Sequence, residues 1–272
     1  MKVIAQPEID IPLGKSIDQP KTFSPEILAA VPRSKGRICK EIEPKNFSGL
    51  DRWTAYELLW FEPTGVAHAG MLNIEIDCHS KNLVESKSLK LFLNSCYYRT
   101  FQSSADVESV LTDQISNIVE GGLKVQLLSP KQARNRLSIK SAPGQSIDKI
   151  DTNGKSNLEV EPNQRVHESL YTDMFRSLCP VTEQPDWATI LIEYCGSKLD
   201  QRALLGYLMN YAEHSGFHEA CVESIFQDIK SLEGVEEVSV CAKFLRRGGI
   251  DICPFRTSTT DFFEPEGRLI RQ

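Results

Sequence analysis

A run of chemically matched positions recurs in this chain at a constant offset of 115 residues: Val84, Glu85, Lys87, Leu89, Phe92 and Leu93 correspond to Leu199, Asp200, Arg202, Leu204, Tyr207 and Leu208. Their apolar members fall at three- and four-residue spacing, which one buried helix face requires. Each run follows a strand-like segment, Leu72 to Cys78 (LNIEIDC) in the first half and Thr189 to Cys195 (TILIEYC) in the second. In both, an acidic residue alternates with apolar ones. A second helix is expected from about Ala105 to Val119 and from about His218 to Leu232, with Glu108-Ser109 matching Glu223-Ser224. Strand-like sequence then returns, as GLKVQLL in the first half and VEEVSVCAKFL in the second. Strand, helix, helix, strand, repeated in tandem, argues for an α+β chain of two modules with one architecture.

The 272 residues suffice for two domains of about 130 residues each. From Lys131 to about Arg165 the sequence turns polar and rich in Gly, Pro, Ser, Asn and Asp, the composition of a connection. Pro7, Pro12, Pro20, Pro25 and Pro32 suit an extended arm laid over the surface. The expected organisation is an arm over residues 1–40, a first module over 41–142, a connector over 143–165 and a second module over 166–272. A net charge of -6 supplies no basic footprint for nucleic acid. Neither a signal-type apolar run nor a membrane-spanning stretch is found, so a cytoplasmic protein is expected. The eight cysteines include no Cys-x-x-Cys pair and read as reduced thiols.

Chemistry-bearing residues are divided between the halves. The first helix start reads ESK (Glu85 to Lys87), while the position matching Phe217-His218-Glu219 reads Phe101-Gln102-Ser103. The second half keeps FHE, and its match to ESK is Asp200-Gln201-Arg202. Each half lacks what the other keeps, so a working site is expected where a first module meets a second, within a chain or across a dimer. Cys179 is followed seven residues on by Asp186, beside Trp187. A nucleophilic thiol needs a group that takes and returns its proton, and a carboxyl in a partly apolar setting can serve. By spacing alone a buried structural cysteine next to a loop aspartate is the better reading of the pair. Glu219 has a structural alternative too, as an acid in the first turn of a helix, and so has Glu85. No G-x-G-x-x-G follows a strand, and Arg246-Arg247-Gly248-Gly249 is by itself a turn with guanidinium forks near a permissive backbone. His68, His79, His167 and His214 have no paired ligand spacing, and Cys78-His79 reads as a strand end, so no metal is expected.

Taken together, ESKSLK, LCPVTEQPDW, FHE and RRGGIDI resemble the nitrile reductases of the QueF family. That resemblance implies a tunnelling fold (T-fold) in each of two tandem modules, with antiparallel sheets, helices packed on the outside, and a barrel closed on oligomerisation into a homodimer. It also implies NADPH-dependent reduction of 7-cyano-7-deazaguanine to the aminomethyl compound, on the pathway to queuosine in tRNA, with no direct nucleic-acid or membrane partner. Under it Cys179 forms a covalent thioimide and Asp186 supplies a proton. Val84, Glu85, Ser86, His218 and Glu219 contact the deazaguanine, and Ser86, Lys87, Arg247 and Gly248 hold the nucleotide. One departure is Cys253, where family members often carry Asn. A thiol hydrolase acting on a nitrile or amidine, and a purine-binding scaffold without catalysis, are the alternatives; the first leaves ESKSLK and RRGG unexplained.

Overall fold

In the computed structural model residues 18–38, 41–260 and 267–272 are described. They form two compact units. The first contains residues 52–136 and 246–251 and the described residues before 42; the second is drawn from 42–51, 137–245 and 252–272.

The first unit holds β1 (Ala30–Pro32), α1 (Arg33–Ile38), most of β2 (Ser48–Phe61), β3 (Ala67–Asp77), β4 (Asn82–Val84), α2 (Ser86–Ser95), α3 (Ser104–Val119), β5 (Leu123–Leu128) and α4 (Pro130–Arg136). Its sheet order is β5-β3-β2, with β3 and β5 antiparallel from Met71 opposite Leu128 to Ile76 opposite Leu123. Leu72, Ile74 and Ile76 are buried, as alternation along LNIEIDC requires. Of the expected N-terminal arm, residues 1–17 and 39–40 lie outside the described residues. Its remainder is partly regular, and β1 pairs antiparallel with β4.

The second unit holds β6 (Gln145–Ser146), β7 (Val160–Leu178), β8 (Pro185–Leu199), α5 (Gln201–Met209), α6 (His218–Lys230), β9 (Val235–Phe244) and most of β10 (Ile250–Thr257). The sheet order is β10-β9-β8-β7-β6, antiparallel except for β6 on β7. Helix α6 packs on β9 as α3 packs on β5. Thus the chain is mixed α+β with antiparallel sheets and helices, and the order strand, strand, helix, helix, strand occurs in each half.

The caps of α2 and α5 occupy positions 115 apart. Glu85 accepts from Lys87 N at 2.8 Å and Ser88 N at 2.7 Å; Asp200 accepts from Arg202 N at 2.9 Å and Ala203 N at 3.1 Å. Each carboxylate satisfies amides that a helix start leaves without partners. Their titration differs in direction. Burial raises the Glu85 pKa against the pull of its amide donors, whereas the Lys155 ammonium, 2.6 Å away, lowers that of Asp200. A lowered carboxylate contributes stability at pH above the ordinary carboxylate range and loses it as pH falls through the folded-state value. Asp200→Asn keeps a good cap and removes the charge. Its neutral-pH unfolding free energy from urea titration should therefore lie within about 1 kcal/mol of wild type, the scale of a screened surface pair. Its stability should fall less steeply than wild type on acidification; equal slopes would exclude the Lys155 pair as a source of the acid sensitivity.

A second-unit core network contains charge. Arg256, fully buried, donates to Asp51 Oδ1 (2.8 Å) and, through two nitrogens, to Glu223 Oε1 (2.8 and 3.1 Å). It also donates to the carbonyls of Leu50 and Phe255. This ties α6, which carries Glu223, to β10 and the start of β2. Cys78, Cys96, Cys179, Cys195, Cys221, Cys241 and Cys253 are thiols outside any disulfide, while Cys39 lies outside the described residues. Among the described residues no helix is long and apolar enough to cross a membrane.

Candidate active site

In the second unit, Cys179 is the first residue after β7 and Asp186 the second of β8. The two strands form a hairpin in which Ser177 faces Asp186 and Leu178 faces Pro185. The loop between them closes on itself: Cys179 N donates to Gln184 O (2.9 Å) and Glu183 N to Cys179 O (3.0 Å). Glu183 adopts φ +54, the left-handed conformation such a tight loop demands. A third segment is bound to the end of β7, since Leu178 N donates to His214 O and Gly216 N to Leu178 O. That segment leads into α6, and so delivers His218 and Glu219 to the same region.

The result is a set of polar groups withdrawn from water. Cys179 is 7 % exposed, Asp186 5 % and Glu219 3 %. His218 Nε2 lies 3.4 Å from Asp186 Oδ2, and the imidazole packs on the Phe244 ring at 4.0 Å. Phe175 meets the same ring edge-on. Aromatic walls beside a carboxyl and an imidazole favour proton exchange between neighbours over exchange with solvent. Strand alternation sends the next residue the other way: Trp187 is 39 % exposed and carries the Arg176 guanidinium over its ring. A cavity of about 410 Å³ borders Trp187, Ala188, Thr189, Lys243, Leu245 and Arg271. It touches none of the expected catalytic residues.

In the first unit, Val84 ends β4, Glu85 caps α2, and Ser86 and Lys87 form its first turn. Both oxygens of Glu85 are engaged by Lys87 N and Ser88 N. RRGG is a tight two-residue hairpin turn: Arg247 and Ile250 exchange both backbone hydrogen bonds, and Gly248 and Gly249 take φ +59 and +82. Positive φ at both central positions is the primed-turn requirement that glycine meets without strain. A Cβ at Gly248 would stand 2.8 Å from Lys90 Nζ. The turn and the ESKSLK helix therefore lie together, with the Lys90 ammonium against bare backbone. Arg246 stacks over Tyr56, whose hydroxyl donates to Asp251 Oδ2 at 2.5 Å and so braces the turn. Ammonium and guanidinium groups beside an exposed backbone fit the phosphates of a nucleotide.

Asp77, Cys78 and His79 also place potential ligand atoms within 4.8 Å of one another. They are consecutive residues where β3 ends, and Asp77 Oδ1 caps His79 N at 2.7 Å. A turn cap accounts for the grouping.

Residues 19–127 match the family of nitrile reductase, 7-cyano-7-deazaguanine-reductase N-terminal segments, and residues 185–261 match that of QueF-like proteins. A curated relative from Desulfotalea psychrophila, an NADPH-dependent 7-cyano-7-deazaguanine reductase, is 38% identical over 271 residues, covering 96% of this chain and 97% of its own. A protein of the same name from Saccharophagus degradans is 38% identical over 270 residues, covering 96% of this chain and 99% of its own. This chain belongs to the QueF family of nitrile reductases. The two QueF segments contain Val84 to Lys87 and Asp186, His218, Glu219, Arg247 and Gly248; Cys179 lies just upstream of the second. Three residues that bear on the site escaped the sequence reading. Lys90 was legible as the partner of Lys87 three residues on, along one helix face. Ser177 and Tyr56 gave no signal, because their roles follow from strand register.

Proposed function

We propose that this chain catalyses the NADPH-dependent reduction of the nitrile of 7-cyano-7-deazaguanine to 7-aminomethyl-7-deazaguanine, in queuosine biosynthesis. The observation that carries the reading is the sequestered grouping of Cys179, Asp186, His218 and Glu219 in a chain whose relatives bear that activity in their names along nearly their full length. Cys179 Sγ adds to the nitrile carbon, one C–N π bond opens, and the thiol proton reaches the nitrogen by way of Asp186. The product of this step is a covalent thioimide, a C=N that accepts hydride where the nitrile does not. NADPH supplies the two hydrides that, with protons, complete the amine. Expulsion of the Cys179 thiolate between them frees the nucleophile. Ser86, Lys87, Arg247 and Gly248 hold the nucleotide. Glu219 and His218 recognise the base with Val84, Glu85 and Ser86.

The chain is further proposed to be a cytoplasmic homodimer of two tandem T-fold modules (41–142 and 166–272, joined by 143–165 behind an arm at 1–40), its barrel closed on oligomerisation.

The decisive assay is NADPH oxidation by the purified protein with and without the nitrile. About two NADPH should be consumed per nitrile, one for each hydride. Ammonia release without nucleotide would assign the chain to hydrolysis instead. Glu219→Ala tests recognition: removing a carboxylate that accepts two N–H groups should weaken deazaguanine binding by about a hundredfold. NADPH binding, read by fluorescence titration, should change less than about threefold on the same scale. Equal losses for both ligands would point to misfolding.

A further inference from the structure

Ser177 is the residue directly opposite Asp186 in the β7–β8 ladder, so both side chains leave the same face of the hairpin. It is fully buried, and its Oγ meets no hydrogen-bond partner among the described residues. A buried hydroxyl without a partner is destabilising and uncommon in folded proteins. The same hairpin face carries Phe175, and neighbouring β9 carries Phe244 against His218, so little water can satisfy Ser177. Thr182, in the loop between Cys179 and Asp186, holds a second buried hydroxyl oxygen with no partner among the described residues. Unsatisfied hydroxyls on either side of the nucleophile mark groups whose partners arise in another state of the site.

We propose that Ser177 is a positioning residue for proton transfer: during thioimide formation its hydroxyl donates to one carboxylate oxygen of Asp186 and holds the other on the path between sulfur and the nitrile nitrogen. This rests on the role proposed for Asp186. The step balances within the site. The thiol proton passes to Asp186 and on to nitrogen, the S–C bond forms, one C–N π bond opens, and Asp186 ends as it began. His218, 3.4 Å away, approaches the carboxylate from α6, and Ser177 approaches it from β7. The two fix its plane.

The test is the rate of covalent adduct formation with the nitrile alone, followed by rapid mixing and intact mass. Ser177→Ala should slow it about tenfold, the scale of one hydrogen bond to a charged acceptor, with nitrile affinity unchanged. Thermal stability should stay level or rise, since an unpaired buried hydroxyl has been removed. A structural hydroxyl would give the reverse pattern: lower stability and an unaltered rate. Ser177→Thr, which restores the hydroxyl, should recover most of the rate. In an Asp186→Asn background, Ser177→Ala should have no further effect, because groups acting as a unit are not additive. Wild-type adduct formation by Asp186→Asn itself would overturn the role of Asp186. A slow Asp186→Asn with a wild-type Ser177→Ala would overturn the present proposal alone.

Discussion

Cys179→Ala should reduce nitrile-dependent NADPH oxidation by about 10⁴-fold or more, the loss typical of removing a catalytic nucleophile. Under the proposed mechanism no covalent route exists without the thiol, and the remaining groups would bind the nitrile without converting it into a C=N. Intact mass should show a protein–nitrile adduct in wild type and none in the variant. The substitution removes one sulfur from a loop held by backbone bonds, Cys179 N to Gln184 O and Glu183 N to Cys179 O, which alanine retains. Fold and nucleotide binding should therefore survive. An adduct that persisted in the variant would exclude Cys179 as the attacking group.

Arg256→Ala is expected to have the largest effect on stability, a loss of about 3–5 kcal/mol in urea unfolding. The guanidinium is the charged partner of two buried carboxylates, Asp51 and Glu223, and its removal leaves them facing each other in the core. The penalty comes from the uncompensated charges more than from the lost pairing, so it should be reversible. Replacing all three residues by apolar side chains of similar volume should recover most of the stability. Catalysis should not recover in step if α6 then shifts, because Glu223 lies one helical turn beyond Glu219. Loss of under about 1 kcal/mol in Arg256→Ala would show that the acids find protons or other donors.

Helices α2, α3, α5 and α6 and parts of β3, β5, β8 and β9 were legible from the spacing of their apolar residues, whereas β1, α1 and α4 were not read. TILIEYC lies within β8 and LNIEIDC within β3 except for its last residue, Cys78, and the expected second helices match α3 and α6 within two residues. The long strands β2 and β7 were not read. β7 buries Leu170 and Thr172 and then Phe175 and Ser177, and a register shift between Thr172 and Phe175 breaks the alternation that a sequence window can detect. Polar residues at many of its other positions hid it further. At the candidate site, the divided motifs named the residues, while the folding of the chain determines which of them meet. Asp186 with His218, and Lys90 with Gly248, are neighbours only through contacts between segments distant in the chain, while Ser177 meets Asp186 across one hairpin.

The alternation that seals Asp186 inside also turns Trp187 outward, and the other two tryptophans, Trp53 and Trp60, are 2 % and 3 % exposed. Soluble quenchers such as acrylamide will therefore reach the indole of Trp187 ahead of the others. The chain carries its own optical reporter, one residue from Asp186 and pointing away from it, through which loosening of the β7–β8 hairpin can be followed by emission without a label.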